Sequence, residues 1–99
     1  MTINIQYVNM DVSESLSDYT KGKLNKLAKK YDWLIGCDVT FKLESKDNLL
    51  GHICNMELSL PGPKIFATSN EKNYEVAVKN TISDLDKQLQ KRKQQFAHH

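Results

Sequence analysis

Five lysines, Lys21, Lys23, Lys26, Lys29 and Lys30, crowd into ten residues, and Lys87, Lys91, Arg92 and Lys93 form a second cluster near the other end. Ammonium and guanidinium groups at this density offer one chemistry above all, the neutralisation of phosphates. A charge run is ordinarily a solvated helix face, so its surroundings decide what it means. From Thr20 to Tyr31 there is no acid, whereas a helix charged only for solubility interleaves Glu four residues from Lys. The first twenty residues hold Asp11, Glu14 and Asp18 and no Lys or Arg. Such segregation makes a local field stronger than the net charge of +2 suggests.

The other residues able to do chemistry are Cys37, His52 and Cys54. A thiol or metal site could be imagined from them, but two cysteines are too few for a disulfide framework or a four-ligand zinc site. Cys54 and His52 two apart on one strand close a tetrahedron poorly. The simpler reading is a space-filling histidine beside two buried thiols. No GxSxG, HExxH, dinucleotide fingerprint or phosphate-cradling glycine loop occurs, and Pro61-Gly62-Pro63 lacks the amide donors of a phosphate nest. Neither a catalytic group nor a metal or cofactor is expected, and no small-molecule substrate.

These residues need elements to hold them. Ile3, Ile5 and Tyr7 alternate with polar residues, the period of a strand. Ser13 is placed to cap a helix whose apolar stripe is Leu16, Thr20, Leu24, Leu27 and Tyr31. Gly22 inside it costs about 1 kcal/mol against Ala, which predicts a local packing reason or fraying. Ile35, Cys37, Val39, Phe41 and Leu43 then face inward on odd positions. Leu50, His52, Cys54, Met56, Leu58 and Leu60 do so on even ones. A hairpin keeps both sets on one face only if paired numbers sum to an odd value. A turn at Lys46-Asp47, or a looser Ser45 to Asn48 loop, gives a sum of 93. Phe41 then opposes His52, Val39 opposes Cys54, Cys37 opposes Met56, and the cysteines are diagonal neighbours.

Pro61-Gly62-Pro63 predicts a turn into a strand with Ile65 and Ala67 inward and Phe66 and Thr68 outward. Asn73 can cap a last helix with the stripe Val78, Ile82, Leu85 and Leu89, reaching toward Phe96. The order is β-α-β-β-β-α, an α+β fold: a four-stranded sheet with two helices on one face, the first unit crossing right-handedly and the other face polar. One domain spans 1–96, with His98 and His99 in a disordered tail or tag remnant at 97–99. The 39% apolar share suffices for one core. No run is long enough for a membrane span and no secretory signal is visible, so a cytoplasmic protein without a membrane partner is expected.

Lys23, Lys26 and Lys30 share one outer face, and Lys87, Lys91 and Lys79 recur on the last helix. Adjacent helices would merge them into one basic surface. Without a helix-turn-helix or paired stacking aromatics, that surface suits the backbone shape of folded RNA.

Two segments carry a family likeness. Thr20-Lys21-Gly22-Lys23-Leu24-Asn25-Lys26-Leu27 is similar to a K-L/F-x-K-L first helix. Ile65-Phe66-Ala67-Thr68, Val76-Ala77-Val78 and the run from Asp84 to Lys93 are similar to an I-x-A-x strand, an A-I/V helix start and an L-x-R/K-Q-L-x-K/R-x-K ending. In this order and length the chain resembles the ribosome hibernation promoting factors, short form, and the related ribosome-associated translation inhibitor. The resemblance implies a fold like that of double-stranded RNA-binding domains. It implies docking on the small ribosomal subunit and its rRNA, between head and body. There the protein would overlap the messenger RNA and transfer RNA sites and silence translation in stationary or starved cells. Lys23, Lys26, Lys87, Lys91, Arg92 and Lys93 match basic motif positions; Lys29, Lys30 and Lys79 are added from the charge pattern. Asp84 departs, standing where a basic residue is common, and Asn73 replaces an acidic cap. Ending at His99, the sequence is expected to lack the C-terminal dimerisation domain of the long forms and the acidic tail of some short ones. A weak homo-oligomer stays open. A general structured-RNA-binding module is the alternative, and a ligand-binding fold using His52 and the cysteines is a third.

Overall fold

The structure, a computed structural model, describes residues 1–44 and 50–97. Its elements are β1 (Thr2–Val8), α1 (Glu14–Lys30), β2 (Gly36–Leu43), β3 (His52–Ser59), β4 (Ile65–Glu71) and α2 (Tyr74–Ala97). The sheet runs β1-β2-β3-β4. β1 lies parallel to β2, with Ile3 beside Cys37 and Ile5 beside Val39, and the other pairs are antiparallel. A parallel pair needs a long crossover, and α1 supplies it.

Ser13 starts α1 from an extended backbone, its Oγ accepting from the Leu16 amide at 3.2 Å. Tyr7 on β1 donates from its hydroxyl to the Ser13 carbonyl at 2.8 Å, tying strand to cap. Leu16, Thr20, Leu24, Leu27 and Tyr31 are all buried. Gly22 departs from the expectation: α1 continues through it, and a Cβ there would meet nothing within 4 Å. Asn73 caps α2, its Oδ1 accepting from the Val76 amide at 2.9 Å. Val78, Leu85 and Leu89 are fully buried, Ile82 partly, while Phe96 is exposed on one side and stacks edge-on against Trp33. Thr81, absent from the apolar stripe, is buried because its hydroxyl donates to the Ala77 carbonyl at 2.7 Å.

The β2–β3 register differs from the expected one. The paired numbers sum to 95, with Phe41 opposite Cys54, Val39 opposite Met56 and Cys37 opposite Leu58. Parity holds, so Cys37, Val39, Phe41, Cys54, Met56, Leu58 and Leu60 face the core as expected. Ile35, Leu43 and Leu50, expected inward, are exposed where the two strands begin and end, and His52 is half-buried. The pairing is shifted by two residues, with the Glu44 amide donating to the Gly51 carbonyl at 2.8 Å. The two cysteines consequently sit four residues apart along the ladder. The turn proposed at Lys46-Asp47, or within Ser45 to Asn48, lies outside the described residues, as do His98 and His99.

Both helices bury their stripes against Cys37, Val39, Phe41, Cys54, Met56 and Leu58, so one face of the sheet is covered. The other carries Asn4, Gln6, Asp38, Thr40, Asn55, Glu57 and Thr68, with Phe66 63% exposed among them. Among the described residues no helix is long and apolar enough to cross a membrane.

Candidate nucleic-acid interface

Burial of its stripe leaves the rest of α1 to solvent. Lys26 and Lys29 are exposed, and Lys23 is half-buried with Nζ 5.5 Å from the centre of the Tyr19 ring. Lys30 is engaged: its Nζ donates to Asp86 at 2.9 and 3.1 Å, and the Tyr31 hydroxyl donates to the same carboxylate at 2.5 Å. This three-residue clamp ties α1 to α2. The Asp86 hydrogen bond raises the Lys30 pKa, and burial followed by Asp86 raises that of Tyr31. Burial pushes the Asp86 carboxyl up, yet hydrogen bonds from Tyr31 and Lys30 outweigh it and hold it below its usual value.

On α2, Lys79, Lys87, Lys91 and Lys93 are exposed. Lys79, Asp86 and Lys93 recur every seven residues and share one flank. Asp86 meets Lys30, so that flank adjoins α1. Lys91 lies on the opposite flank, lining a groove with Ile65, Gln88, Arg92 and Gln95 beside β4, and Lys87, four residues earlier, stands above it. On α2, Lys79 and Lys93 thus stand toward α1, Lys87 near the crest opposite the buried stripe, and Lys91 toward β4. Arg92 is half-buried and turned inward, donating to the carbonyls of Pro61 (3.3 Å) and Pro63 (3.1 Å). It clamps the turn where Gly62 takes φ +91°. Of the nine cationic positions expected to meet RNA, Lys30 alone forms an ion pair among the described residues, and Arg92 is held by backbone carbonyls. Lys30 and Arg92 also hold the fold together.

Asp86 and the Tyr31 hydroxyl are the functional groups the sequence patterns missed. An acid between Leu85 and Lys87 reads as an ordinary solvated residue, and only the approach of the two helices gives it partners.

His52 sits at the start of β3, half-buried, its ring edge-on to Tyr74 at 4.8 Å and its Nδ1 3.2 Å from the Glu71 carbonyl. Cys37 and Cys54 are buried free thiols, pushed by burial up to about 12 and about 11. Protonated thiols inside the core are poor nucleophiles and poor metal ligands. Among the described residues no group of three His, Cys, Asp or Glu is arranged to hold a metal ion.

The family described as Sigma 54 modulation protein / S30EA ribosomal protein matches residues 3–96. The ribosome hibernation promoting factor of Pseudomonas putida is 27% identical over 94 residues, covering 95% of this chain and 88% of that protein. That of Escherichia coli K12 is 26% identical over 99 residues, the full length of both. A ribosomal subunit interface protein from Coxiella burnetii superposes with a TM-score of 0.82 at 25% identity, covering 94% of this chain and 98% of that one. The N-terminal domain of Thermus thermophilus Protein Y shares the fold, with a TM-score of 0.79 at 20% identity over 92% and 98%.

Proposed function

The chain belongs to the Sigma 54 modulation protein / S30EA ribosomal protein family, and from that premise we propose that it is a ribosome-binding hibernation factor which silences translation by occupying space. It docks on the small ribosomal subunit through rRNA phosphates and overlaps the sites for messenger RNA and transfer RNA. No chemical step is involved, and the protein works in the cytoplasm, where ribosomes are.

The observation that carries this reading is the exposed lysines spread over both helices, Lys26, Lys29, Lys79, Lys87, Lys91 and Lys93, on a chain whose sequence is matched over nearly its whole length by relatives named for ribosome hibernation. Ammonium groups at many angles suit a curved phosphate backbone and carry no base readout. Co-sedimentation with ribosomes tests it. Lys87→Glu/Lys91→Glu should lose most ribosome association while keeping the wild-type melting temperature, because both side chains are exposed. Undiminished association would remove α2 from the interface.

A further inference from the structure

The uncovered face of the sheet is ordered in rows. The register places Asn4, Asp38, Glu57 and Phe66 side by side across the four strands, and Gln6, Thr40, Asn55 and Thr68 in the next row. Between the β2, β3 and β4 members of these rows opens a groove of about 460 Å³, walled by the Phe66 ring and approached from α2 by Asp84. Phe66 is 63% exposed, a large apolar surface with no ring partner among the described residues. Asp38 and Glu57 stand directly opposite each other, an arrangement of like charges that weakens a strand pair. Their compensation is slight. Asp38 accepts from the Asn4 amide at 3.1 Å, Asp84 from Gln88 at 3.3 Å, and Glu57 pairs with Lys64 at 2.9 Å. Three carboxylates against the Lys64 ammonium leave two negative charges around one exposed ring. Lys42 stands one row beyond the amides, at the far end of the face, and Lys87, one turn along α2 from Asp84, lies outside the groove lining.

A ring bordered by carboxylates repels phosphate and attracts a cation with a flat, weakly hydrated head. Guanidinium stacks on an aromatic face while donating to carboxylates at its edge, and its alkyl stem covers apolar surface. The amide and hydroxyl row can meet a peptide backbone. The strand edge itself is closed to sheet extension at this point, because Gln88 donates to the Phe66 carbonyl at 2.9 Å, so an occupant lies across the face.

We propose that this groove docks an arginine-bearing basic segment of a partner protein, on the face opposite the lysine-bearing helices. RNA and protein would then be held by different sides of one sheet. The charge sign of each side sets its choice.

The test uses the full chain, isotopically labelled for amide NMR, and a blocked peptide of alternating Gly and Arg, with a Gly-Glu peptide as control. The Arg peptide should shift amides around Asp38, Asn55, Phe66 and Thr68, and the Glu peptide should not. Phe66→Ala and Asp38→Asn/Asp84→Asn should each weaken Arg-peptide binding about tenfold. Lys26→Glu/Lys29→Glu on α1, which lies away from the Asp84 rim of the groove, should bind the peptide like wild type whatever it does to ribosome association. That keeps failure of the groove distinct from failure of the ribosome reading. Shifts confined to the helices, or an unchanged Kd for Phe66→Ala, would overturn the proposal. So would shifts at this face with oligouridine, which would make Phe66 a base platform, or with rising protein concentration alone, which would make it a contact between copies.

Discussion

Asp86 does two jobs through one carboxylate: it accepts from Tyr31 inside the helix interface and from Lys30 at its rim. Its pKa is held below the usual 3.8, so the sign of its linkage is fixed. The stabilisation is complete above the unfolded value and disappears as pH falls through the lower folded value, in the window below about pH 4. Asp86→Asn should cost about 1–2 kcal/mol at pH 7, with the Lys30 arm contributing the smaller part because its ammonium is solvated. Urea unfolding at pH 7 and pH 3 checks this: the gap between wild type and variant should narrow at the lower pH. The thiols give a second residue-scale expectation. With pKa values raised to about 12 and about 11, neither Cys37 nor Cys54 ionises near neutrality. Labelling by an aromatic disulfide at pH 8 should therefore proceed only as fast as the protein opens, and should accelerate in step with denaturant. Rapid labelling of native protein would contradict the burial of β2 and β3.

At the scale of elements, Gly22 is the clearest misfit between local preference and structure. It stands inside α1 with open space where a Cβ would be, so Gly22→Ala meets no steric objection and should stabilise by about 1 kcal/mol, read as a higher urea midpoint at unchanged slope. Gly36 is the opposite case: a Cβ there would come within 2.9 Å of the Thr2 carbonyl, because β1 presses its backbone against the start of β2. Elements were the most legible level in the sequence, since the alternation of Cys37, Val39 and Phe41 and the spacing of Leu16, Thr20, Leu24 and Leu27 are direct images of strand and helix geometry. Register was legible only in its parity. Alternation forces an odd sum but cannot choose between 93 and 95, because both bury the same side chains and only the hairpin's length separates them. The clamp of Lys30, Tyr31 and Asp86 and the hold of Arg92 on the Pro61-Gly62-Pro63 turn were illegible for a different reason. Each joins residues 29 or more apart in sequence, and each depends on how far one element lies from another, which no periodicity encodes.

For the whole molecule the sheet acts as a partition, with lysines on the helix layer and carboxylates around Phe66 on the bare side. Lys26 and Lys29 project from α1, while Lys87 stands near the crest of α2 and Lys91 on its side toward β4. If ribosomal RNA wraps the crest of the layer, both pairs meet phosphates and each contributes counterion release independently. About five such contacts predict a slope of log K against log salt of roughly −3.5 to −4.5. Lys26→Gln/Lys29→Gln and Lys87→Gln/Lys91→Gln should then each flatten that slope by about 1.4–1.8, and the four-fold variant by about twice as much. Ribosome binding measured across a salt series separates the possibilities. A slope altered by only one pair would confine the RNA to one flank of the helix layer. A slope altered by neither would mean that the family's hold on the ribosome does not run through these lysines in this chain.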